Sequence, residues 1–588
     1  MANVSRLRTV FILRTVVFLL AVGATIKLLT GSSKLVSQNI ESRGFWEEKK
    51  SGQFFGQSGA LQGWIWDSEL SQLVQVKKEE ETKLEQAPVV EMSQKIALPP
   101  DPKAVIEKDY GPLGMKLVHL DLKGAPPRIA YLKKLIMYVA RLGADGLLIE
   151  YEDMFPFTGD LEILRNANAY TIAEIEEIQI LAAKQQLKII PLVQTFGHLE
   201  FVLKHKQYWP LRESERYPNS INPHLSGSLN LVHKLLQQIL LKHPAAECVH
   251  IGCDEVYQLS ESAESKAWLA RNGSTLGGMF LDHVRTVVQQ LRDLRPGVRA
   301  LIWDDMLRTI DEATLRDSGV AELVEPVVWA YSPNLNVKVN VMHIKKYSTC
   351  GIQAVWFASA FKVCKGAEGP SVIAPVVRHR VDNHLHWLEV SQEISTLSIR
   401  LRGIVLTGWQ RYNHFAVLCE LIPVGLPSLA ICLQVLNHGG LKTEALNTAT
   451  ELLGFSKITD NPSIVWAGEG SFPGCEIHNE VLYINGSLRD SVTAILDSDY
   501  VRAWFSKYNR KHKFANPMFM EYFEPKARQV LRDWEEHMES LQSKMLELFF
   551  PDAVEEWFEV HVNPNLDRLR HLLQDYDEII ALKGQPKA

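Results

Sequence analysis

At 588 residues the chain is too long for a single compact core, so two folded parts and some linker are expected. Hydrophobic residues make up 46% and charged residues 22%, which excludes a generally disordered chain. A net charge of −6 gives no electrostatic reason to bind a polyanion, so nucleic acid is not an expected partner. The seven cysteines lie scattered without a CxxC pair, which fits neither a disulfide scaffold nor a zinc framework. Cys248 and Cys253 flank a predicted strand, face opposite sides of it, and read as small buried thiols.

From Val10 to Leu29 the chain is almost wholly apolar, and the first acidic residue is Glu41. The uninterrupted run is Thr15 to Ile26, bounded by Arg14 and Lys27; with Arg14 inside it the run begins at Thr9. Spanning a bilayer takes roughly 17–25 residues. Arg14 can snorkel toward Arg6 and Arg8, which would hold the N-terminus in the cytosol. The expectation is a signal anchor over 1–30, a single-pass membrane protein whose catalytic part is lumenal or extracellular. A cleaved secretory signal ranks second, since Val22-Gly23-Ala24 is a weak cleavage-like site, and a mitochondrial presequence third. Residues 31–112 are polar and punctuated by Gly, Ser, Pro and charge runs, and read as a flexible stem.

At Met115 the texture changes to short apolar runs separated by helical patterns, the signal of βα units around a parallel sheet. Eight runs are predicted as strands: Lys116–Asp121, Gly146–Tyr151, Lys188–Gln194, Cys248–Cys253, Arg299–Trp303, Pro326–Trp329, Gln353–Trp356 and Gly403–Thr407. Helices are predicted between them over Ile129–Leu142, Thr171–Gln186, Ser228–Leu241 and Leu276–Leu294, the last closed by Arg295-Pro296-Gly297. No Gly-rich phosphate loop follows the first strand, so a closed (β/α)8 barrel over 113–440 is expected rather than an open doubly wound sheet. Beyond Gly440 strand signals largely vanish. Leu531, Trp534, Met538, Leu541, Met545 and Leu548 recur at spacings of three and four, so 441–588 is expected to be a helical domain with a buried stripe.

Barrel enzymes build their sites at the C-terminal ends of the strands. Here those ends carry His119, Asp121 and Lys123; Glu150, Tyr151, Glu152 and Asp153; Gln194, Thr195 and His198; Asp254 and Glu255; Trp303, Asp304 and Asp305; Trp329 and Tyr331; Trp356; and Trp409 to His414. Carboxylates crowd the early strands, and a tryptophan falls at each of strands five to eight. Indole faces suit the apolar faces of sugar rings while carboxylates suit hydroxyls, so the mouth reads as carbohydrate-binding. Any single tryptophan is more often core.

The sharpest element is His250-Ile251-Gly252-Cys253-Asp254-Glu255. Adjacent side chains on a strand point to opposite faces, so both acids can enter one site only if the strand ends there. Burial and a neighbouring carboxylate raise one of two paired pKa values, and the proton is assigned to Glu255 as the acid for glycoside cleavage. The usual retaining mechanism takes a second, nucleophilic carboxylate from another strand. The seventh segment, Val355-Trp356-Phe357-Ala358-Ser359, holds none, so a substrate 2-acetamido group oriented by Asp254 is expected to attack instead.

The His-x-Gly-x-Asp-Glu run resembles the signature of family 20 glycoside hydrolases, and Gln194-Thr195-Phe196-Gly197-His198 is similar to that family's Thr-x-Gly-His segment. Within the family the likeness is greatest to the hexosaminidase D branch, carried also by Leu117 to Pro127, Leu148 to Pro156, Trp303-Asp304-Asp305-Met306, Thr407 to Tyr412 and Phe550 to Trp557. The resemblance implies an exo-acting retaining β-N-acetylhexosaminidase without cofactor or metal, working by substrate-assisted catalysis. It implies Glu255 as general acid/base, Asp254 as holder of the acetamide, Trp409 and Trp303 as sugar walls, and Tyr331 as a donor to the acetamide carbonyl. Trp356, His198, Asp121 and Gln410 complete the expected substrate contacts. Two departures stand: Asp121 and Lys123 occupy the place of an Arg after strand one that grips sugar hydroxyls, and the extra α/β domain before the barrel is replaced by the stem.

The expected partners are a glycoconjugate or oligosaccharide ending in N-acetylhexosamine and a membrane through the N-terminal segment, with a homo-oligomer left open. The likeness to soluble members of the branch gives a cytoplasmic or nuclear alternative. Rival readings are a metal hydrolase built on His119, Asp121, Glu150, Glu152, His198 and Asp254, which lacks a His-x-His pair, and a sugar-binding pseudo-enzyme.

Overall fold

The computed structural model describes residues 110–362, 376–459 and 464–584, which lie within one compact unit running from Ile106 to Ala588. Eight parallel strands close into a barrel: β1 (Met115–Asp121), β2 (Gly146–Glu150), β3 (Lys188–Leu192), β4 (Cys248–His250), β5 (Arg299–Trp303), β6 (Val324–Trp329), β7 (Ala354–Lys362) and β8 (Arg400–Gly408). They are hydrogen-bonded in sequence, and β1 pairs with both β2 and β8 to complete the ring. All eight expected strands are present. Three of the early strands are shorter than their apolar runs, because the chain bends at Tyr151, Val193 and Ile251 to build the mouth. β7 instead runs on to Lys362, so Trp356 sits near its start and not at its end.

Alternation along the strands divides the core in two. Leu117, Leu148, Ile190, Leu192, Leu301, Val327 and Val405 fill the barrel interior, and Cys248 joins them. Their neighbours Val118, Leu147, Val249, Ile302 and Val328 face the helix layer, which also buries Cys253. The two thiols therefore lie on opposite sides of the strand, both free and buried.

The surrounding helices begin and end where the local chemistry dictates. Thr171 and Glu174 form a reciprocal capping box at the start of α2 (Ile172–Lys184), which follows α1 (Ile129–Arg141). After α3 (Ser226–Lys242), α4 (Leu276–Leu294) starts on the Thr275 hydroxyl, and its outgoing Arg295 adopts an extended backbone before Pro296. Among the described residues the C-terminal part is helical apart from an antiparallel pair of short strands, Lys457–Thr459 and Val465–Ala467. Its longest helix, Glu524–Leu548, buries Trp534, Met538, Leu541 and Met545, while Leu531 and Leu548 lie at the margin of that stripe. This part is tied to the barrel layer by Arg128, whose Nε donates to the carbonyls of Leu546 (2.8 Å) and Phe549 (2.9 Å).

The single-pass membrane placement needs correction. Among the described residues no helix is long and apolar enough to cross a membrane. The hydrophobic segment of 1–30, and all of the stem but 110–112, lie outside the described residues.

Candidate active site

The motif after β4 folds as a tight, left-handed staircase. His250 Nδ1 accepts the Gly252 N–H at 3.0 Å, which turns the chain out of the strand. Gly252 has φ +67°, and a Cβ there would run into the Gln194 amide. Cys253 also has positive φ (66°) and tucks its Sγ 3.2 Å from Thr195 Oγ1; Glu255 has φ 49°. Three left-handed residues in four break the alternation of a strand, so Asp254 and Glu255 both line one pocket while Val256 drops into the core. Glu152 after β2 (φ 44°) and His198 after β3 (φ 49°) repeat the device. Non-glycine residues held this way are strained, and such strain gathers where side chains must be aimed.

His198 bridges the acidic pair, its Nε2 lying 3.4 Å from Asp254 Oδ2 and 3.3 Å from Glu255 Oε2. Burial works against a charged His198, but Asp254, Glu255 and Glu200 outweigh it and lift its pKa to about 10. Burial raises Asp254, with Glu150 and Glu255 adding repulsion against the attraction of His198. Glu255 goes the other way: burial pushes it up, yet hydrogen bonds from His198, Tyr257 and Tyr412 bring it below its ordinary value. The directions of these shifts favour a charged His198 beside an ionised Glu255, whereas the sequence reading assigns the proton to Glu255. Gln194 Nε2 fixes Asp254 Oδ1 at 3.1 Å. Asp305, raised to about 7 by burial and by Asp254, accepts the Glu255 N–H at 2.9 Å and the Trp329 indole N–H at 3.1 Å.

At the ends of β1 and β2 sits a buried cation. Lys123 Nζ lies 3.0 Å from Asp121 Oδ1, 3.5 Å from Glu150 Oε1 and 3.6 Å from Glu152 Oε1, and 5.0 Å over the Trp409 ring. Glu150 is held ionised, at about 2: burial raises it, but Lys123 and His119 overcome that. Lys123 thus occupies the middle of the acidic set from which a metal site was a rival reading, and among the described residues no group of three or more His, Cys, Asp or Glu is arranged to hold a metal.

The pocket is walled by Trp303, Trp329, Tyr331 and Trp409, with Lys123, Glu150, Gln194, His198, Arg411 and Tyr412 around the two acids. Trp303 stacks obliquely against His250 and Trp409, and its buried indole N–H has no partner. Tyr331 meets the Trp409 indole N–H at 3.3 Å. Three expected contacts are not in this lining. Trp356 is buried low in the barrel and donates to Glu325 at 2.8 Å, because β7 is longer than its apolar run. Asp121 is fully buried behind Lys123, with Oδ2 accepting the Gln410 N–H at 2.7 Å. Gln410 turns inward and donates its amide to the Ala125 carbonyl at 2.9 Å. Both brace the loops that carry Lys123 and Trp409.

Lys123, Glu150, Gln194, Trp329, Arg411 and Tyr412 line the pocket without having been named as contacts. Their place at strand ends was the available signal; which of several neighbouring polar residues turns inward depends on the loops. Arg411 shows this most clearly. Its Nη1 lies 2.7 Å from Glu556 Oε1 and its Nη2 engages Oε2 of the same carboxylate, which also accepts the Leu418 N–H at 2.9 Å. Glu556 belongs to helix Pro551–His561 of the C-terminal part, so a helix far along the chain sets the loop after β8.

The model of the glycosyl hydrolase family 20 catalytic domain matches residues 151–329. Hexosaminidase D of Homo sapiens is 47% identical over 471 residues, which cover 80% of this chain and 96% of that protein. Hexosaminidase D of Bos taurus is 47% identical over 346 residues, 59% of this chain and 99% of that one. A β-N-acetylhexosaminidase structure from Bacteroides fragilis aligns at 13% identity with a TM-score of 0.40, covering 55% of this chain and 65% of that chain. The human match leaves almost none of that relative to correspond to a tether, so the membrane placement finds no support there either. With the Asp254–Glu255 pair in one pocket and this identity over most of its length, the chain belongs to glycosyl hydrolase family 20, as a glycosidase of the hexosaminidase D type.

Proposed function

We infer that the protein is an exo-acting β-N-acetylhexosaminidase that removes terminal N-acetylhexosamine with retention, and that the two acids divide the work. Glu255 protonates the departing glycosidic oxygen and later deprotonates water; Asp254 holds the acetamide nitrogen while its carbonyl oxygen attacks the anomeric carbon. The supporting observation is the pairing of two adjacent carboxyls in one aromatic-walled pocket with no carboxylate along β7 from Ala354 to Lys362. Glu150 does not replace it, since its oxygens are engaged by His119 at 3.2 Å, Lys123 at 3.5 Å and Gln194 at 3.5 Å.

The proton reaches Glu255 from His198. A sugar seated against the indoles excludes water from Glu255, and loss of water pushes its pKa up, against the hydrogen bonds that hold it down. Transfer across the 3.3 Å contact converts a charged pair into a neutral one, which a drier site favours. Glu255 then carries a proton at the moment the bond breaks.

Release of p-nitrophenol from the N-acetyl-β-glucosaminide and its galacto epimer, with and without chelator, tests the reading. Turnover that survives chelation, is abolished in Glu255→Gln, and is strongly inhibited by a thiazoline mimic of the cyclised acetamide is expected. Equal turnover of the plain β-glucoside, which has no acetamide, would overturn it.

A further inference from the structure

Asp305 stands between the acid and one wall of the pocket, and its carboxylate is divided between them. It follows β5 and opens the short helix Asp305–Thr309. On one side Oδ2 accepts the Glu255 N–H at 2.9 Å; on the other Oδ1 accepts the Trp329 indole N–H at 3.1 Å. One side chain thus bridges the turn after β4 to the end of β6. Asp305 is not part of the pocket lining, so whatever it does for a bound sugar it does through these two partners.

Trp329 is the fixed end of the bridge. Its backbone N–H donates to Asp304 Oδ1 at 3.2 Å, its carbonyl accepts from Arg308 Nη2 at 3.0 Å, and the Arg308 guanidinium lies 5.2 Å over its ring. Asp304 is itself fully buried and accepts the Tyr347 hydroxyl at 2.9 Å. Glu255 is the end that needs holding. With φ 49° it has a backbone that L side chains rarely adopt, and such a conformation persists only where surrounding contacts fix it. An N–H donated to a carboxylate is a strong and directional contact of that kind. The other walls are secured differently: the Trp409 indole N–H meets the Tyr331 hydroxyl, and that of Trp303 has no partner among the described residues.

We infer that Asp305 is a positioning residue that aims the general acid, by tying the turn that carries Glu255 to the Trp329 wall. This rests on the hexosaminidase reading above. The backbone N–H it holds is that of Glu255, so its loss falls on protonation of the departing oxygen and not on attack by the acetamide, which is the work of Asp254.

The test is Asp305→Asn, which keeps the shape of the side chain but exchanges one acceptor oxygen for an NH2 group, leaving one of the two N–H donors without its acceptor. Rates are compared on two aryl N-acetyl-β-glucosaminides. The 4-methoxyphenyl glycoside needs a proton to release its phenol, whereas the 2,4-dinitrophenyl glycoside releases a stable anion unaided. On the first, kcat/KM is expected to fall about a hundredfold, the cost of a misplaced catalytic group. On the second it is expected to fall by less than about threefold, because the acid is not needed there. Trp329→Phe keeps an aromatic wall but removes the indole N–H, and is expected to show the same inequality at smaller size. Adding Asp305→Asn to Trp329→Phe is expected to cost less than Asp305→Asn alone, since the two act along one link. Equal losses on the two glycosides, as a disturbed fold or a disturbed Asp254 would give, overturn the assignment and leave the hexosaminidase reading intact; so do unchanged rates on both. Where Asp305→Asn fails to fold, the inequality in Trp329→Phe decides alone. A wild-type chain that cleaves neither glycoside overturns the hexosaminidase reading and the assignment with it.

Discussion

Trp303 and Trp356 lie inside the same barrel, each 1% exposed, and do different things. Trp303 closes β5, lines the pocket and leaves its indole N–H without a partner; Trp356 enters near the start of β7 and spends its N–H on Glu325. The lower interior is therefore finished, with apolar side chains and a satisfied hydrogen bond, whereas the upper interior keeps an unused donor, strained backbone and two carboxyls bridged by an imidazole. Height along a strand, and not residue type or burial, separates a packing tryptophan from one that lines the pocket.

The sharpest way to break this comparison is at the upper end. Glu255→Gln is expected to lower kcat by roughly 10²–10⁴ while leaving thermal stability nearly unchanged, since its carboxylate serves chemistry and not packing. Asp254→Asn is expected to lower kcat by about 10²–10³ and to weaken thiazoline inhibition in parallel, measured as the inhibition constant. If inhibition is unaltered, Asp254 does not hold the acetamide.

His198→Asn sharpens the electrostatic side. In the wild type the pair loses its last proton with His198, lifted to about 10, so a proton stays available to Glu255 into alkaline solution. Without the imidazole that proton must reside on Glu255 itself, and the alkaline limb of kcat/KM is expected to move down by more than about one pH unit. An unmoved limb would mean that His198 does not supply the proton. Glu556→Gln loosens Arg411 and Leu418 from outside the barrel, and a loss of about tenfold in kcat/KM is expected for a displaced wall loop. At the lower end Trp356→Phe is expected to cost about 1–3 kcal/mol of stability, because it leaves Glu325 short of a donor, with kcat unaffected. Trp303→Phe is expected to show the reverse balance: a smaller stability loss and a lower kcat/KM.

Much of the molecule was legible in the residues. The eight strands were visible because alternating apolar runs must bury one face inside the ring and the other under helices, and the acidic pair because two neighbouring carboxyls at a strand end have few structural uses. Asp121, Gln410 and Trp356 fall outside the pocket lining for one reason: each lies close to the mouth in sequence, but a strand that runs on to Lys362, or a loop that folds inward, buries it.

The sequence by itself determined the barrel, the acidic pair at its mouth and the helical C-terminal part, since periodicity and local turn chemistry act over a few residues at a time. Only the tertiary structure decided that His198 bridges the two acids, which indoles line the pocket, and that Glu556 anchors Arg411. Those outcomes depend on distances between side chains tens to hundreds of positions apart, and a charge or hydrogen bond acts through space and not along the chain.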